Sequence, residues 1–125
     1  MLTDRTAIID VIVGIANALD SKDWARLRSR LAPELDVDYS EFRGEPPSRI
    51  TAEAYVASRK EGLAELRTLH ISTNHEVALL GNEATCRSAY LIYRLDPRAT
   101  AGAAVSAHHH RQRLRRRRRP AARRR

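Results

Sequence analysis

The chain has 125 residues, which is enough for one domain with one hydrophobic core. Its formal net charge of +8 comes from one end: residues 111–125 contain ten arginines and no acid, whereas the first 110 residues hold thirteen basic and fifteen acidic residues. The main part of the chain is therefore mildly acidic, which argues against a basic nucleic-acid-binding domain. The single cysteine, Cys86, excludes an internal disulfide and a cysteine-based zinc site.

Targeting signals are not evident in the sequence. The first residues lack a basic n-region, and the longest apolar run, residues 6–19, is interrupted by Asp10 and is too short to span a bilayer. We therefore expect a cytoplasmic, reduced protein that does not interact with membranes.

The first predicted element is a helix that Thr3 or Asp4 caps. Ser21 then begins a short second helix that Pro33 ends, and Thr51 caps a third helix. At about 100° per residue, the apolar side chains of the first helix form two adjacent rows, and such a wide apolar arc is typical of a helix covered on most sides. The rows are Ile8, Ile12, Ile15 and Leu19, and beside them Ile9, Val13 and Ala16.

Strands follow the helices. Apolar and polar residues alternate over residues 35–40, which predicts a half-buried strand, and the glycine and prolines of residues 43–49 predict a loop. Residues 69–77 and 84–95 also alternate, and residues 80–83 between them have the composition of a tight turn. Helices early in the chain and an antiparallel hairpin late in it predict an α+β domain.

Two residues are candidates for chemistry. Asp20 continues the row of Val13 and Ala16, so its carboxylate points to the apolar side of the first helix and lies at the rim of the core or in a pocket; the alternative is a solvated residue at the helix end. His70 shares a predicted strand face with Ser72 and Asn74, which suits a general base. The alternative is a half-exposed histidine on a solvent face.

Two segments carry a resemblance to a known family: AIIDVIVGIANALDSKDWARLRSRLAPELDVDYS and LHISTNHEVALLGNEATCRSAYLIY. They resemble a SnoaL-like domain, in the superfamily of nuclear transport factor two, ketosteroid isomerase and scytalone dehydratase. The similarity includes the aspartate near the end of the first helix, the Asp-Trp pair of the second helix, a strand ending in Asp-Tyr, and a strand that begins Leu-His. It covers roughly three quarters of the chain.

The resemblance implies a fold and a set of site residues. The family fold is a cone, in which a strongly curved antiparallel sheet wraps around the N-terminal helices and leaves an apolar pocket at its open end. In the dehydratase branch the helix aspartate and the strand histidine form a catalytic dyad, which carries over to Asp20 and His70. Further positions that the resemblance assigns to substrate binding or to the pocket wall are Tyr39, Trp24, Asn74 and Ser88.

The resemblance also implies a function. It predicts a cofactor-free enzyme in which His70 abstracts a proton from a carbon atom of a small apolar, polycyclic or aromatic substrate and Asp20 orients the base. The outcome is elimination, isomerisation or hydrolysis, and the enzyme is a homodimer or trimer. The alternative is a non-catalytic ligand-binding or dimerisation module, because one fold serves many functions.

The C-terminal region departs from the family pattern. Where the family has closing strands, this chain has an arginine-rich segment, which we expect to be disordered by self-repulsion. The sequence therefore predicts a domain over residues 1–107 that lacks its closing strand, and a His/Arg-rich tail over residues 108–125. The tail is either the product of a shifted reading frame or an arm that binds nucleic acid or another polyanion nonspecifically. Its adjacent histidines, residues 108–110, are not expected to form a metal site.

Overall fold

The computed structural model describes the backbone of residues 2–98 and 104–117 and the side chains of residues 4–41 and 44–98. Helices come first, and long antiparallel strands come last. The elements in chain order are α1 (Leu2–Ser21), α2 (Trp24–Ser29), β1 (Glu34–Val37), α3 (Ser40–Arg43), β2 (Ser48–Thr51), α4 (Ala52–Gly62), β3 (Arg67–Leu80), β4 (Glu83–Asp96) and β5 (Ala104–Arg117).

Helix α1 is covered on two sides, as its wide apolar arc predicts. On one side Ile12 and Ala16 pack against Cys86 and Tyr90 of β4. On the other side α1 contributes to a second cluster with residues of α2 and of the segment that follows α4, and this cluster consists of Ala18, Leu19, Leu27 and Leu63. The helix therefore joins the sheet to the other helices.

The short helices have local causes in the sequence. The Asp23 side chain accepts a hydrogen bond from the Arg26 backbone N–H at 3.1 Å and caps α2. The Thr51 hydroxyl accepts from the Ala54 backbone N–H at 3.1 Å and caps α4, as the sequence predicts. Between them, β1 and β2 pair as an antiparallel ribbon, so the end of the predicted loop is in fact a strand.

The large sheet has the order β3-β4-β5, and both neighbouring pairs are antiparallel. The turn between β3 and β4 includes Gly81 with φ of +55°, a conformation that glycine adopts without steric cost. We call the side of β3 and β4 that packs against α1 the inner face. On β4 it carries the residues at alternating positions that the sequence predicts to share a face, namely Ala84, Cys86, Ser88, Tyr90 and Ile92, all of them buried. The α+β class is confirmed.

The third strand of this sheet differs from the expectation for the C-terminal region. Residues 104–117 pair with β4 along its whole length, so residues 108–117 continue a strand rather than a disordered tail, and the boundary drawn after residue 107 falls inside β5. The physical reason is that strand pairing uses backbone N–H and C=O groups, which every non-proline residue supplies. The outer edge of β4 offers a row of these groups whatever the side chains of its partner. Residues 118–125 lie outside the described part of the chain.

Candidate active site

The centre of the site is a contact between the end of α1 and the first half of β3. The Asp20 carboxylate oxygen Oδ1 lies 2.5 Å from the His70 ring nitrogen Nδ1. The side chain of His70 is 9% exposed and that of Asp20 is 17% exposed, so the pair is largely shielded from solvent. The structure therefore brings together the two residues that the sequence singles out, across fifty positions of the chain.

Two further hydrogen bonds hold the Asp20 carboxylate in place. The Thr68 hydroxyl donates to Oδ1 at 2.9 Å, and the His70 backbone N–H donates to Oδ2 at 2.8 Å. A carboxylate next to Nδ1 selects the tautomer in which Nδ1 carries the proton. The nitrogen Nε2 is then a base, and in the described part of the chain no side chain hydrogen bonds to it.

A bulge in β3 changes which residues reach the inner face. The pairing with β4 shifts between Thr73 and Glu76, and Asn74 has φ of +55°. Before the bulge the even positions point inward, whereas after it the odd positions do. Asn74 is consequently exposed, so its predicted place beside His70 on the inner face is wrong, and the half-buried side chain of His75 points inward instead.

His75 is a candidate functional residue that the sequence analysis missed. Its ring nitrogen Nε2 lies 2.8 Å from the Ser72 hydroxyl oxygen, and Ser72 in turn pairs with Tyr90 of β4. The signal that could have revealed it is the Thr-Asn-His sequence of residues 73–75, because asparagine is the non-glycine residue that most readily adopts positive φ. An asparagine inside an alternating strand therefore indicates a possible bulge.

Ser88 lies on β4 opposite the bulge, between the positions that pair with Thr73 and Glu76. It is the fully buried polar residue of the described chain, with 2% exposure, and its hydroxyl has no hydrogen-bond partner among the described residues. A buried hydroxyl without a partner is costly, so such groups call for an explanation. The assignment of Ser88 to substrate binding stays a prediction.

Tyrosines form a second part of the site. The hydroxyls of Tyr39 and Tyr55 lie 3.5 Å apart, and the Arg59 guanidinium stacks over both rings, at 6.0 Å and 5.6 Å from their centroids. Burial, together with the neighbouring Tyr39 hydroxyl, raises the pKa of Tyr55 far above its ordinary value. Burial also raises the pKa of Tyr90 to about 12. The phenols of Tyr55 and Tyr90 are therefore neutral hydrogen-bond donors at physiological pH.

Trp24 packs in the helical core and has no described contact with Asp20 or His70. It is half-buried and packs against the cluster around Leu27 and Leu63, so its contacts are those of a core residue. Over the described residues, no group of three or more histidine, cysteine, aspartate or glutamate side chains is arranged to hold a metal ion. The same residues include no helix with the length and apolar character needed to cross a bilayer.

Comparison with known families matches residues 1–120 to the SnoaL-like domain. The chain belongs to this family. Curated relatives are the scytalone dehydratases of Pyricularia oryzae, 36% identical over 72 residues, and of Aspergillus fumigatus, 41% identical over 54 residues. These alignments cover 54% and 43% of this chain but only 42% and 32% of the relatives, so the matched region spans less than half the length of these relatives.

Solved structures show the same fold at low sequence identity. A protein of the nuclear transport factor two-like family from Streptomyces avermitilis matches with a TM-score of 0.76 and 15% identity, over 96% of this chain and 90% of its own. A protein from Kribbella flavida matches with a TM-score of 0.74 and 24% identity, over 87% of this chain and 79% of its own. These likenesses support the cone-type α+β architecture and carry no argument about chemistry.

Proposed function

We propose that this protein is a cofactor-free dehydratase that eliminates water from a small hydroxy ketone of polycyclic or aromatic character. The observation that carries the proposal is the Asp20–His70 contact, in which a shielded carboxylate orients an imidazole on the inner face of the sheet. The family membership and the scytalone dehydratase relatives favour elimination over isomerisation or hydrolysis.

The first step is removal of a proton from the carbon next to the carbonyl group. Nε2 of His70 takes this proton, and the imidazolium that forms is stabilised by the Asp20 carboxylate bound to Nδ1. Thr68 and the His70 backbone N–H keep the carboxylate from rotating, so the base is already oriented when substrate arrives.

Negative charge then develops on the carbonyl oxygen, and a neutral phenol is suited to donate a hydrogen bond to it. We assign this role to Tyr39, whose hydroxyl lies beside that of Tyr55 under the Arg59 guanidinium. The positive charge of Arg59 near the two rings lowers the energy of an anionic oxygen placed there.

The proposal is tested by incubating the purified protein with scytalone and following water elimination by absorbance. We expect turnover by the wild type and a loss of at least about 10²-fold in His70→Ala, since general-base catalysis contributes about 10²–10⁴-fold. Asp10→Asn serves as a control variant that should keep wild-type turnover, because Asp10 lies on α1, the helix of Asp20, and is exposed. Wild-type turnover that survives His70→Ala would exclude His70 as the base.

A ligand-binding module without catalysis is the competing function, and the unpartnered Ser88 hydroxyl is compatible with it. Calorimetry separates the two. Saturable binding of scytalone by the wild type with no water elimination, under conditions where a scytalone dehydratase is active, would favour the module and reject the enzyme.

A further inference from the structure

The bulge in β3 places a second histidine on the same inner face as His70. Val77, two positions after His75, packs against the core cluster formed by α1 and β4, which fixes the odd positions after the bulge as inward-facing. His70 and Ser72 face inward before the bulge, so one strand presents two imidazoles to the interior. A regular strand could not do this, because residues five positions apart point to opposite faces.

The two histidines have different partners. Nδ1 of His70 faces a carboxylate, whereas Nε2 of His75 faces the Ser72 hydroxyl at 2.8 Å. A carboxylate at Nδ1 prepares Nε2 of His70 to accept a proton. A hydroxyl can both donate and accept, so it can pass a proton from His75 to a group on its other side. The contact of His70 with a carboxylate therefore suits a base. The contact of His75 with the Ser72 hydroxyl suits an acid that acts through that hydroxyl.

Polar groups surround Ser72 on the neighbouring strand. Ser72 pairs directly with Tyr90, and its hydroxyl interacts with the Tyr90 phenol. Ser88 is the inward-facing residue of β4 next to Tyr90, two positions before it in the chain, and it lies opposite the bulge. Its buried hydroxyl has no hydrogen-bond partner among the described residues. These hydroxyls sit on an inner face whose other β4 residues, Ala84, Cys86 and Ile92, are buried and apolar.

We propose that the Ser72–His75 pair delivers the proton to the departing hydroxyl group of the substrate, with Ser88 holding that oxygen. This inference rests on the proposed dehydratase function. Elimination needs two proton transfers: a carbon–hydrogen bond breaks at His70 and its electron pair becomes the new double bond, while the carbon–oxygen bond breaks and the oxygen takes a proton. The products are the unsaturated compound and one water molecule.

The proton balance closes over one turnover. In this step His70 starts as a neutral imidazole and gains the proton that leaves carbon, whereas His75 starts as an imidazolium and loses, through the Ser72 hydroxyl, the proton that leaves as part of water. Exchange with solvent then returns both imidazoles to their starting states. No oxidant, reductant or cofactor enters this balance.

The test separates the two proton transfers with three reactions of purified full-length protein. The first is elimination of water from scytalone. The second is exchange into deuterated water of the proton next to the carbonyl, which requires only the base. The third is elimination from an analogue that carries fluorine in place of the departing hydroxyl group. Fluoride leaves as an anion without being protonated, so this reaction does not require the acid.

We expect His75→Gln to slow water elimination by about 10²-fold or more while proton exchange and fluoride elimination stay near the wild-type rates. Ser72→Ala should give the same pattern, which guards against a folding defect in one variant. Glu76→Gln is the matched control, because Glu76 is exposed and adjoins the bulge without facing the interior. His70→Ala should slow all three reactions.

Two kinds of outcome would contradict the proposals. Equal slowing of all three reactions by His75→Gln would show a structural role and overturn the inference, and so would an unchanged rate of water elimination. A wild-type protein that catalyses neither proton exchange nor elimination would instead overturn the dehydratase proposal itself, and the inference would fall with it.

Discussion

Replacing Asp20 by asparagine is the sharpest test of the roles proposed for Asp20 and His70, because the structure predicts which way the new amide turns. The side chain keeps its volume but exchanges one acceptor oxygen for a donor NH₂ group. The His70 backbone N–H requires an acceptor at the position of Oδ2, so the amide oxygen must stay there. The NH₂ group then faces Nδ1 of His70 and the Thr68 hydroxyl.

This orientation inverts the tautomer of His70. An NH₂ donor opposite Nδ1 requires that nitrogen to accept, so the ring proton moves to Nε2, and Nε2 can no longer act as a base. In a serine protease triad the same change of tautomer lowers kcat by about 10⁴-fold, and we expect a loss of roughly 10³–10⁴-fold here. The Thr68 hydroxyl can rotate to accept from the amide, so the loss of stability should be about 1–3 kcal/mol, as for one charge-assisted hydrogen bond.

The assay combines kinetics with nitrogen NMR of the imidazole ring. We expect the wild-type His70 to carry its proton on Nδ1 and the Asp20→Asn protein to carry it on Nε2, with the Asp10→Asn control unchanged in both tautomer and rate. An Asp20→Asn protein that keeps the Nδ1 proton, or that turns over within a factor of about three of the wild type, would refute the reasoning.

Three further predictions concern the bulge, the buried phenol and the outer face of the sheet. Asn74→Gly should leave the free energy of unfolding and the activity near the wild type, whereas Asn74→Val should cost about 1–2 kcal/mol in urea unfolding, because φ of +55° is strained for a branched side chain. Burial raises the pKa of Tyr90 to about 12, while in the unfolded chain a tyrosine pKa is about 10. Above the unfolded pKa the unfolded state binds fewer protons, so the free energy of unfolding should fall by at most about 2.7 kcal/mol between these pH values, and urea titrations of Tyr90→Phe should show a smaller fall. Leu69 and Tyr93 pair on the outer face and are 51% and 39% exposed, so we expect a homo-oligomer to form through this face and Leu69→Asp to have a lower mass than the wild type in sedimentation; equal masses would contradict this prediction.

The parts of the fold that the sequence predicts are those with a long, regular pattern. Helix α1 has apolar residues on a wide arc, and the structure covers it from the sheet and from the other helices. Buried and less buried side chains alternate along β4 from Glu83 to Ile92. The inward position of Ser88 therefore follows from its place at an even-numbered position of that strand. The angular position of Asp20 places it on the apolar side of α1, and the strand face of His70 marks it as a candidate base. Their pairing as a dyad comes from the family resemblance.

The parts that the sequence does not predict depend on a local irregularity or on backbone pairing. One extra residue at Asn74 reverses the parity of β3, which removes Asn74 from the inner face and brings His75 to it. Strand β5 was missed because arginine-rich composition argues against a half-buried strand, whereas the pairing with β4 is made by the backbone. The spacing of apolar and polar side chains predicts regular elements. It predicts neither the bulge in β3 nor the backbone pairing of β5 with β4.

In the proposed reaction, the bulge lets strand β3 carry both a base and an acid on its inner face. One imidazole is proposed to accept a proton and the other to donate one, so the two rings need different partners. The structure separates them along β3, with the Asp20 carboxylate at His70 and a neutral hydroxyl at His75. The carboxylate favours a charged ring after proton uptake, while the hydroxyl leaves its ring free to give a proton away. The irregularity in the strand is thus what places both proposed roles on the inner face.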